Sequence, residues 1–104
     1  MIARIWHGWT TPHNADKYEQ LLKTEIVSEI LGHIDGFLGI DILRRDSGGD
    51  VEFVTVTWFA SMDAVRAFAG PDSETAVVVP KARALLRRFD DRAVHYEVRE
   101  RRSA

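Results

Sequence analysis

Residues 54–70 decide the fold, and they read VTVTWFASMDAVRAFAG. The first six are β-branched or aromatic, which is typical of a β-strand. Ser61 is a favoured N-cap residue, and Val65 and Phe68 follow it at the spacing of one helical face. Gly70, followed by a proline, is typical of a helix end. The stretch therefore predicts a strand that leads directly into an amphipathic helix.

The rest of the chain supplies matching elements. Apolar residues recur every four positions from Tyr18, which predicts a first helix with Asn14 as its N-cap and Gly32 at its end. Pro80 is placed to begin a further short helix over residues 81–88. β-formers predict four strands, at residues 2–9, 37–45, 51–59 and 92–99, with a turn at 46–50.

The order strand, helix, strand occurs twice, which is typical of the ferredoxin-like fold. We therefore predict an α+β protein of βαββαβ order with a four-stranded antiparallel sheet. Right-handed crossovers place the first and third strands in the centre of the sheet and the helices on one face. At 104 residues the chain is expected to form a single domain over residues 1–104.

Composition excludes several classes of function. The formal net charge is −2, which disfavours nucleic acid and anionic membranes as partners because both bind basic surfaces. The sequence has no cysteine, which excludes disulfides, thiolate nucleophiles and cysteine-ligated metals. It shows neither a signal peptide nor an apolar run of transmembrane length. We expect a cytoplasmic protein.

The sheet has two faces, and the helices can cover only one. Because side chains alternate between the two faces along a strand, the uncovered face would carry five large apolar side chains, namely Ile5, Trp9, Phe37, Phe53 and Phe59. So much apolar surface is not expected in open solvent, and a second copy of the sheet would bury it. We therefore predict a homodimer with sheets packed face to face. The helix-covered face is assigned Ile2, Arg4, Trp6, Leu38, Ile40, Ile42, Val54, Val56, Trp58, Val94, Tyr96 and Val98.

A candidate ligand pocket lies on the helix-covered face. Its aromatic walls would enclose a ligand, and Arg4 would hold an anionic oxygen. Tyr18 would face the same cavity or tie the first helix to the sheet. The alternative is ordinary core packing, with Arg4 reaching water through its aliphatic stem. The pocket residues on this interpretation are Arg4, Trp6, Tyr18, Trp58, Phe68 and Tyr96.

A second candidate group is assigned to the opposite face. His7 and His95 lie on neighbouring strands with the same predicted parity, and Asp41, Thr55 and Thr57 share that face. Such a group could supply a general base or hold a metal, or it could form a hydrogen-bonded patch in the dimer interface. Because the chain shows no clustered metal-ligand spacing, we predict no metal.

Several segments together carry a family resemblance that spans nearly the whole chain. They are IARIWHG at 2–8, Gly36-Phe37, Leu43-Arg44-Arg45, Trp58 with Ser61, AFAG at 67–70 and VHYEV at 94–98. With these residues the chain resembles the antibiotic biosynthesis monooxygenase-like family, within the dimeric α/β barrel superfamily. That superfamily includes cofactor-free quinone-forming oxygenases, haem degraders and small-molecule isomerases. The resemblance thus implies a fold and a homodimer, and it leaves the reaction open.

The resemblance implies, as the leading hypothesis, a cofactor-independent monooxygenase that acts on a small aromatic or quinol-type metabolite. In that enzyme Arg4 or His7 would polarise a substrate oxygen, and no cofactor would be needed. Two alternatives stay open. One is a non-catalytic or stress-related dimer that binds a small molecule in the same cavity, and the other is an association domain with a packed core instead of a cavity.

Haem degradation fits the residues less well. Haem-degrading relatives have a tryptophan in the second helix, an axial histidine about ten residues later and an asparagine on the first strand. The corresponding positions here hold Phe68, Val78 and the pair Trp6-His7. A valine cannot ligate iron. These three departures argue against haem degradation.

Overall fold

The computed structural model describes all residues from Met1 to Ala104. Its five strands are β1 (Ile2–Thr10), β2 (Phe37–Ser47), β3 (Asp50–Phe59), β4 (Leu86–Phe89) and β5 (Val94–Glu97). They form one antiparallel sheet of order β2-β3-β1, and β4 and β5 share the outer edge of β1. The predicted ferredoxin-like α+β fold is confirmed, with the first and third strands central, but the sheet has five strands instead of the predicted four.

Three α-helices connect the strands, namely α1 (Pro12–Leu21), α2 (Met62–Ala69) and α3 (Pro80–Leu85). Helix α1 continues without a break into a π-helix, Leu22–Ile30, and a 3-10 turn, Leu31–His33. The predicted cap of α1 is wrong by three residues. Thr11 is the N-cap, because its side-chain oxygen accepts a hydrogen bond from the Asn14 backbone N–H at 3.2 Å. The predicted cap of α2, Ser61, receives the Ala64 N–H in the same way.

The predicted helix over residues 81–88 is too long. Helix α3 ends at Leu85, and the next four residues form β4, which pairs with Gly8, Trp9 and Thr10 of β1. This edge of β1 needs backbone partners, and the pairing outweighs the local helical preference of the segment.

The assignment of strand faces is right for β1 and wrong for β3 and β5. In β2 it is right for Ile40 and Ile42, which pack against the core, and wrong for Leu38, which is 55% exposed beside a register shift. Arg4 lies opposite Thr57 of β3 and His95 of β5, so even-numbered residues of β1 share a face with odd-numbered residues of both neighbours. Opposed residues of an antiparallel pair point to the same side of the sheet. The helix-covered face therefore carries Thr55, Thr57 and the fully buried Phe53 and Phe59.

The opposite face of the sheet has no helix on it, and we call it the open face. Ile5 and Trp9 lie on it as predicted, whereas Phe37, Phe53 and Phe59 belong to the core. In their place the open face carries Val54, Val56, Trp58, Val94 and Tyr96. None of the helices has both the length and the apolar character that crossing a lipid bilayer requires.

Candidate active site

A cavity of about 40 Å³ lies between the sheet and the helices. Its floor is formed by strand residues of the helix-covered face, Arg4, Trp6, Ile40, Thr55 and Thr57. Its walls come from six other segments, through Tyr18 of α1, Leu22 and Ile26 of the π-helix, Leu31 of the 3-10 turn, Phe68 of α2, Val77 and Val78 of the loop before α3, and Ala82 of α3. The site is therefore mostly apolar with a small polar floor, which is the usual composition of a small-molecule site.

Arg4 is the one charged group of this lining. It is only 3% exposed, yet it forms no ion pair with any carboxylate. Its Nη1 donates to the Ser73 carbonyl, and its Nη2 donates to the Thr75 carbonyl at 2.7 Å. The guanidinium also lies over the ring of Phe68, 5.5 Å from the ring centroid. Burial lowers the pKa of Arg4 to about 10, so the group remains a cation at neutral pH.

Trp6 is held in the cavity floor by both ends of its indole. Its Nε1 donates to the Asp90 carbonyl at 2.7 Å. The far edge of its ring packs over Gly8, where an added Cβ would come within 2.8 Å of Trp6 Cη2. A side chain at position 8 would therefore push the indole from its place, and the glycine leaves the room that this part of the floor needs.

Tyr18 lines the cavity from α1. Its ring packs edge-on against Phe53, with ring centroids 4.9 Å apart. Burial raises the pKa of Tyr18 above its ordinary value, because the phenolate would lose its hydration. Tyr18 therefore stays protonated and offers a hydrogen-bond donor rather than a base.

His95 lies beside Arg4, which the sequence interpretation did not foresee. Arg4 Nη1 is 2.9 Å from His95 Nε2. Because an arginine nitrogen can only donate, His95 Nε2 must accept, and the ring proton is on Nδ1. Desolvation, and then the Arg4 charge, lower the pKa of His95, while Glu74 opposes the shift. His95 is therefore a neutral imidazole held by a buried cation.

The structure does not bring two of the predicted pocket residues to this cavity. Trp58 and Tyr96 lie opposite Ala3 on the open face, and Tyr96 is 57% exposed. Trp58 instead packs beneath the guanidinium of Arg101, 4.4 Å from the ring centroid. Both residues were predicted to face the helices, and the strand register turns them to the other face of the sheet.

The predicted group of His7, His95, Asp41, Thr55 and Thr57 does not form. His7 and Asp41 lie on the open face, whereas His95, Thr55 and Thr57 lie on the helix-covered face. His7 Nδ1 is 3.1 Å from a carboxylate oxygen of Asp90, at the sheet edge. The two histidines cannot act on one ligand across the sheet, so neither a shared metal nor a shared base is available from them.

The partners of Arg4 were not foreseeable in detail. An arginine within an apolar row signals that a partner is needed. The carbonyls of Ser73 and Thr75 and the ring of His95 are 69 to 91 residues away along the chain. Only the strand register and the path of the loop bring them together, and no local pattern encodes either.

Comparisons with known proteins agree with this architecture. A family model described as antibiotic biosynthesis monooxygenase matches residues 1–77. No curated protein matches the sequence. Among solved structures, a candidate antibiotic biosynthesis monooxygenase from Bacillus cereus superposes with a TM-score of 0.69 at 16% identity, over 100% of this chain and 96% of that one.

Two further solved structures have different activities. The haem degrader MhuD from Mycobacterium tuberculosis has a TM-score of 0.63 at 20% identity, over 99% of this chain and 100% of that one. SnoaB, a cofactor-independent oxygenase from Streptomyces nogalater, has a TM-score of 0.61 at 18% identity, over 96% of this chain and 95% of that one. At such identities these likenesses show the fold, and the family follows from the match over most of the chain. The chain belongs to the antibiotic biosynthesis monooxygenase family.

Proposed function

We propose that the protein is a cofactor-independent oxygenase that acts on a small phenol or quinol bound in the cavity between sheet and helices. The observation that carries the proposal is the buried cation of Arg4, which has no carboxylate partner and lies on the floor of a cavity with aromatic walls. A phenol reacts with dioxygen most readily as its electron-rich anion. A preorganised cation at the ring oxygen favours that anion.

The overall reaction of a phenol with dioxygen yields a quinone and water. One oxygen atom becomes the new ring carbonyl, and the other leaves as water with the ring hydrogen and the hydroxyl proton. In this reaction Arg4 would stabilise the ring oxygen as it becomes anionic, while Trp6 and Phe68 would hold the ring plane. Tyr18, which stays protonated, and the hydroxyls of Thr55 and Thr57 would orient the remaining polar atoms of the ligand.

The cavity must widen to admit such a ligand. Its volume of about 40 Å³ exceeds what a water molecule needs, but it is well below the roughly 150 Å³ of an engineered cavity that binds benzene. The loop that supplies Val77 and Val78 has no helix or strand of its own between α2 and α3. The neighbouring wall is a π-helix, a conformation that is frequent at functional sites. These two walls are the parts that would move.

We also propose that two copies pack open face to open face. Leu43, Val94 and Tyr96 on that face are 51%, 52% and 57% exposed, and Val54, Val56 and Trp58 lie half-buried between them. Apolar surface of this extent is typical of a protein–protein interface. Most of these residues were predicted for the helix-covered face. The reason for a partner is nevertheless the same, because an apolar face of the sheet is left without a covering helix.

Oxygen consumption with a panel of phenols and quinols tests the proposed reaction. We expect turnover by the purified protein without added metal or cofactor, and formation of the quinone in a one-to-one ratio to oxygen. Arg4→Met should lower kcat about 100-fold, as does the removal of one donor from an oxyanion site. Arg66→Met, on the exposed side of α2, is the matched control and should keep full activity. Binding of phenols without oxygen uptake would overturn the oxygenase and favour the non-catalytic binding protein.

A further inference from the structure

The pairing of Arg4 with His95 places a proton acceptor beside an anion-binding group of the cavity floor. Arg4 lines the cavity, and His95, which is not itself a lining residue, contacts Arg4. The two residues lie directly opposite each other on β1 and β5, and their side-chain nitrogens are 2.9 Å apart. Both strands belong to the sheet, so the backbone positions from which the two side chains extend are set by rigid elements. Catalytic groups held in this way are better positioned than groups on loops.

Arg4 has hydrogen-bonding capacity left for a ligand. A guanidinium has five N–H donors. Arg4 uses three of them, for the carbonyls of Ser73 and Thr75 and for His95 Nε2. One of the three, the bond to His95, is made to a group that can itself take up a proton. A ligand hydroxyl that replaced the direct Arg4–His95 bond, with the two side chains moving apart, could accept from Arg4 and donate to His95, so that both protein groups stay satisfied.

We propose that His95 is the proton acceptor of this site, and that the ligand is a neutral hydroxyl compound that ionises on binding. The inference rests on the proposed function, because it assigns the base that this function needs. In the step, the O–H bond of the ligand breaks and a new N–H bond forms at His95 Nε2. The ligand becomes an anion between the Arg4 guanidinium and the new imidazolium, and the total charge of the complex does not change.

The surroundings of His95 suit this role. The charged groups that act on it are Arg4 on β1 and Glu74 in the loop before α3. Desolvation and Arg4 hold its pKa below the ordinary value of 6.5, so the base is free of its proton at neutral pH. An anionic ligand beside the ring would offset the Arg4 charge and allow the ring to hold the proton once it is transferred.

No group that lines the cavity can replace His95 in this step. Tyr18 is held in its protonated form by burial, and threonine hydroxyls are not bases at neutral pH. His7, the base suggested by the sequence, lies on the open face and is bonded to Asp90. The proposed base is therefore His95 on β5 instead of His7 on β1.

Binding of 4-nitrophenol tests the assignment, because its anion is yellow and its neutral form is not. The titration is done calorimetrically at a pH at which the free probe is mostly neutral, in two buffers of different ionisation enthalpy. The buffer dependence of the heat gives the number of protons released, and the visible spectrum gives the fraction of bound anion. For the wild-type protein we expect bound anion with no net proton release, because His95 retains the proton.

His95→Gln keeps a side-chain oxygen that can accept from Arg4 but cannot take up a proton. This variant should release one proton for each bound anion, and its affinity for the probe should rise with pH across the range in which the free probe ionises. His33→Gln, at the exposed end of the 3-10 turn, is the control and should behave as wild type. Equal proton release by the wild-type protein and His95→Gln would overturn the assignment, and so would failure of the wild-type protein to bind the probe.

The two proposals fail in different ways. The binding assay needs no oxygen, so a His95-dependent proton balance without any quinone formation would reject the oxygenase and retain the ionising site. Turnover that survives in His95→Gln with an unchanged pH profile would reject the role of His95 and retain the oxygenase.

Discussion

At the scale of single residues, Arg4 shows how a buried charge is kept without an opposite charge. Two backbone carbonyls, an imidazole nitrogen and the face of Phe68 surround the guanidinium. Hydrogen bonds of this kind compensate for lost hydration, which otherwise costs several kcal/mol for an ion. The sequence alone indicates that this arginine lies in an apolar row and needs partners. It does not identify them, because all lie far away along the chain.

The pH dependence of stability should report the environment of His95. Its pKa in the folded protein is below the value of 6.5, so the unfolded chain binds more protons near and below that pH. The contribution of His95 to the free energy of unfolding is therefore fully present above pH 6.5 and decreases as the pH falls below it. We expect the wild-type protein to lose more stability than His95→Gln between about pH 7.5 and pH 5.5. Urea unfolding of both proteins at each pH measures the difference, and equal losses would contradict it.

At the scale of elements, the local sequence predicts well where a helix or strand occurs, and it predicts poorly how the strands pair. Ser61 caps α2 because a cap depends on residues three positions apart. In β3, by contrast, the row Val54, Val56 and Trp58 is more apolar than the row with Thr55 and Thr57, yet the helices cover the second row. Both faces of this sheet carry apolar residues, so alternation cannot tell which face is covered. Trp58, Tyr96 and His95 were misplaced for this reason.

The cap of α1 offers a test at the same scale. The structure makes Thr11 the N-cap, whereas the sequence pattern favours Asn14, whose side-chain amide donates to the Leu85 carbonyl at 3.4 Å. Thr11→Ala should lower the free energy of unfolding by about 1 kcal/mol, and so should Ser61→Ala in α2. Asn14→Ala should cost clearly less. Urea denaturation of the three variants decides between the two caps, and a larger loss for Asn14→Ala would contradict the structure.

At the scale of the whole molecule, the open face should control association. Val56 lies near the middle of that face, opposite Ile5 on one side and the carboxylate of Asp41 on the other. Val56→Asp would place a second negative charge beside Asp41 in a surface that must lose water on dimerisation. We expect the wild-type protein to sediment as a dimer at micromolar concentration and Val56→Asp to sediment as a folded monomer. Thr24→Asp, on the exposed side of the π-helix, should remain dimeric. A monomeric wild-type protein would refute the interface.

The division of the fourth strand position between β4 and β5 also limits how the molecule can aggregate. Each of these strands has only four residues, and each faces a different end of β1, so this side of the sheet offers no long row of free N–H and C=O groups. On the other side, the free edge belongs to β2, which has charged residues at Asp41, Arg44, Arg45 and Asp46. Short strands and charged edges are the usual protection against strand addition. The protein should therefore resist growth into extended β-sheet fibres, even at concentrations at which its apolar face finds a partner.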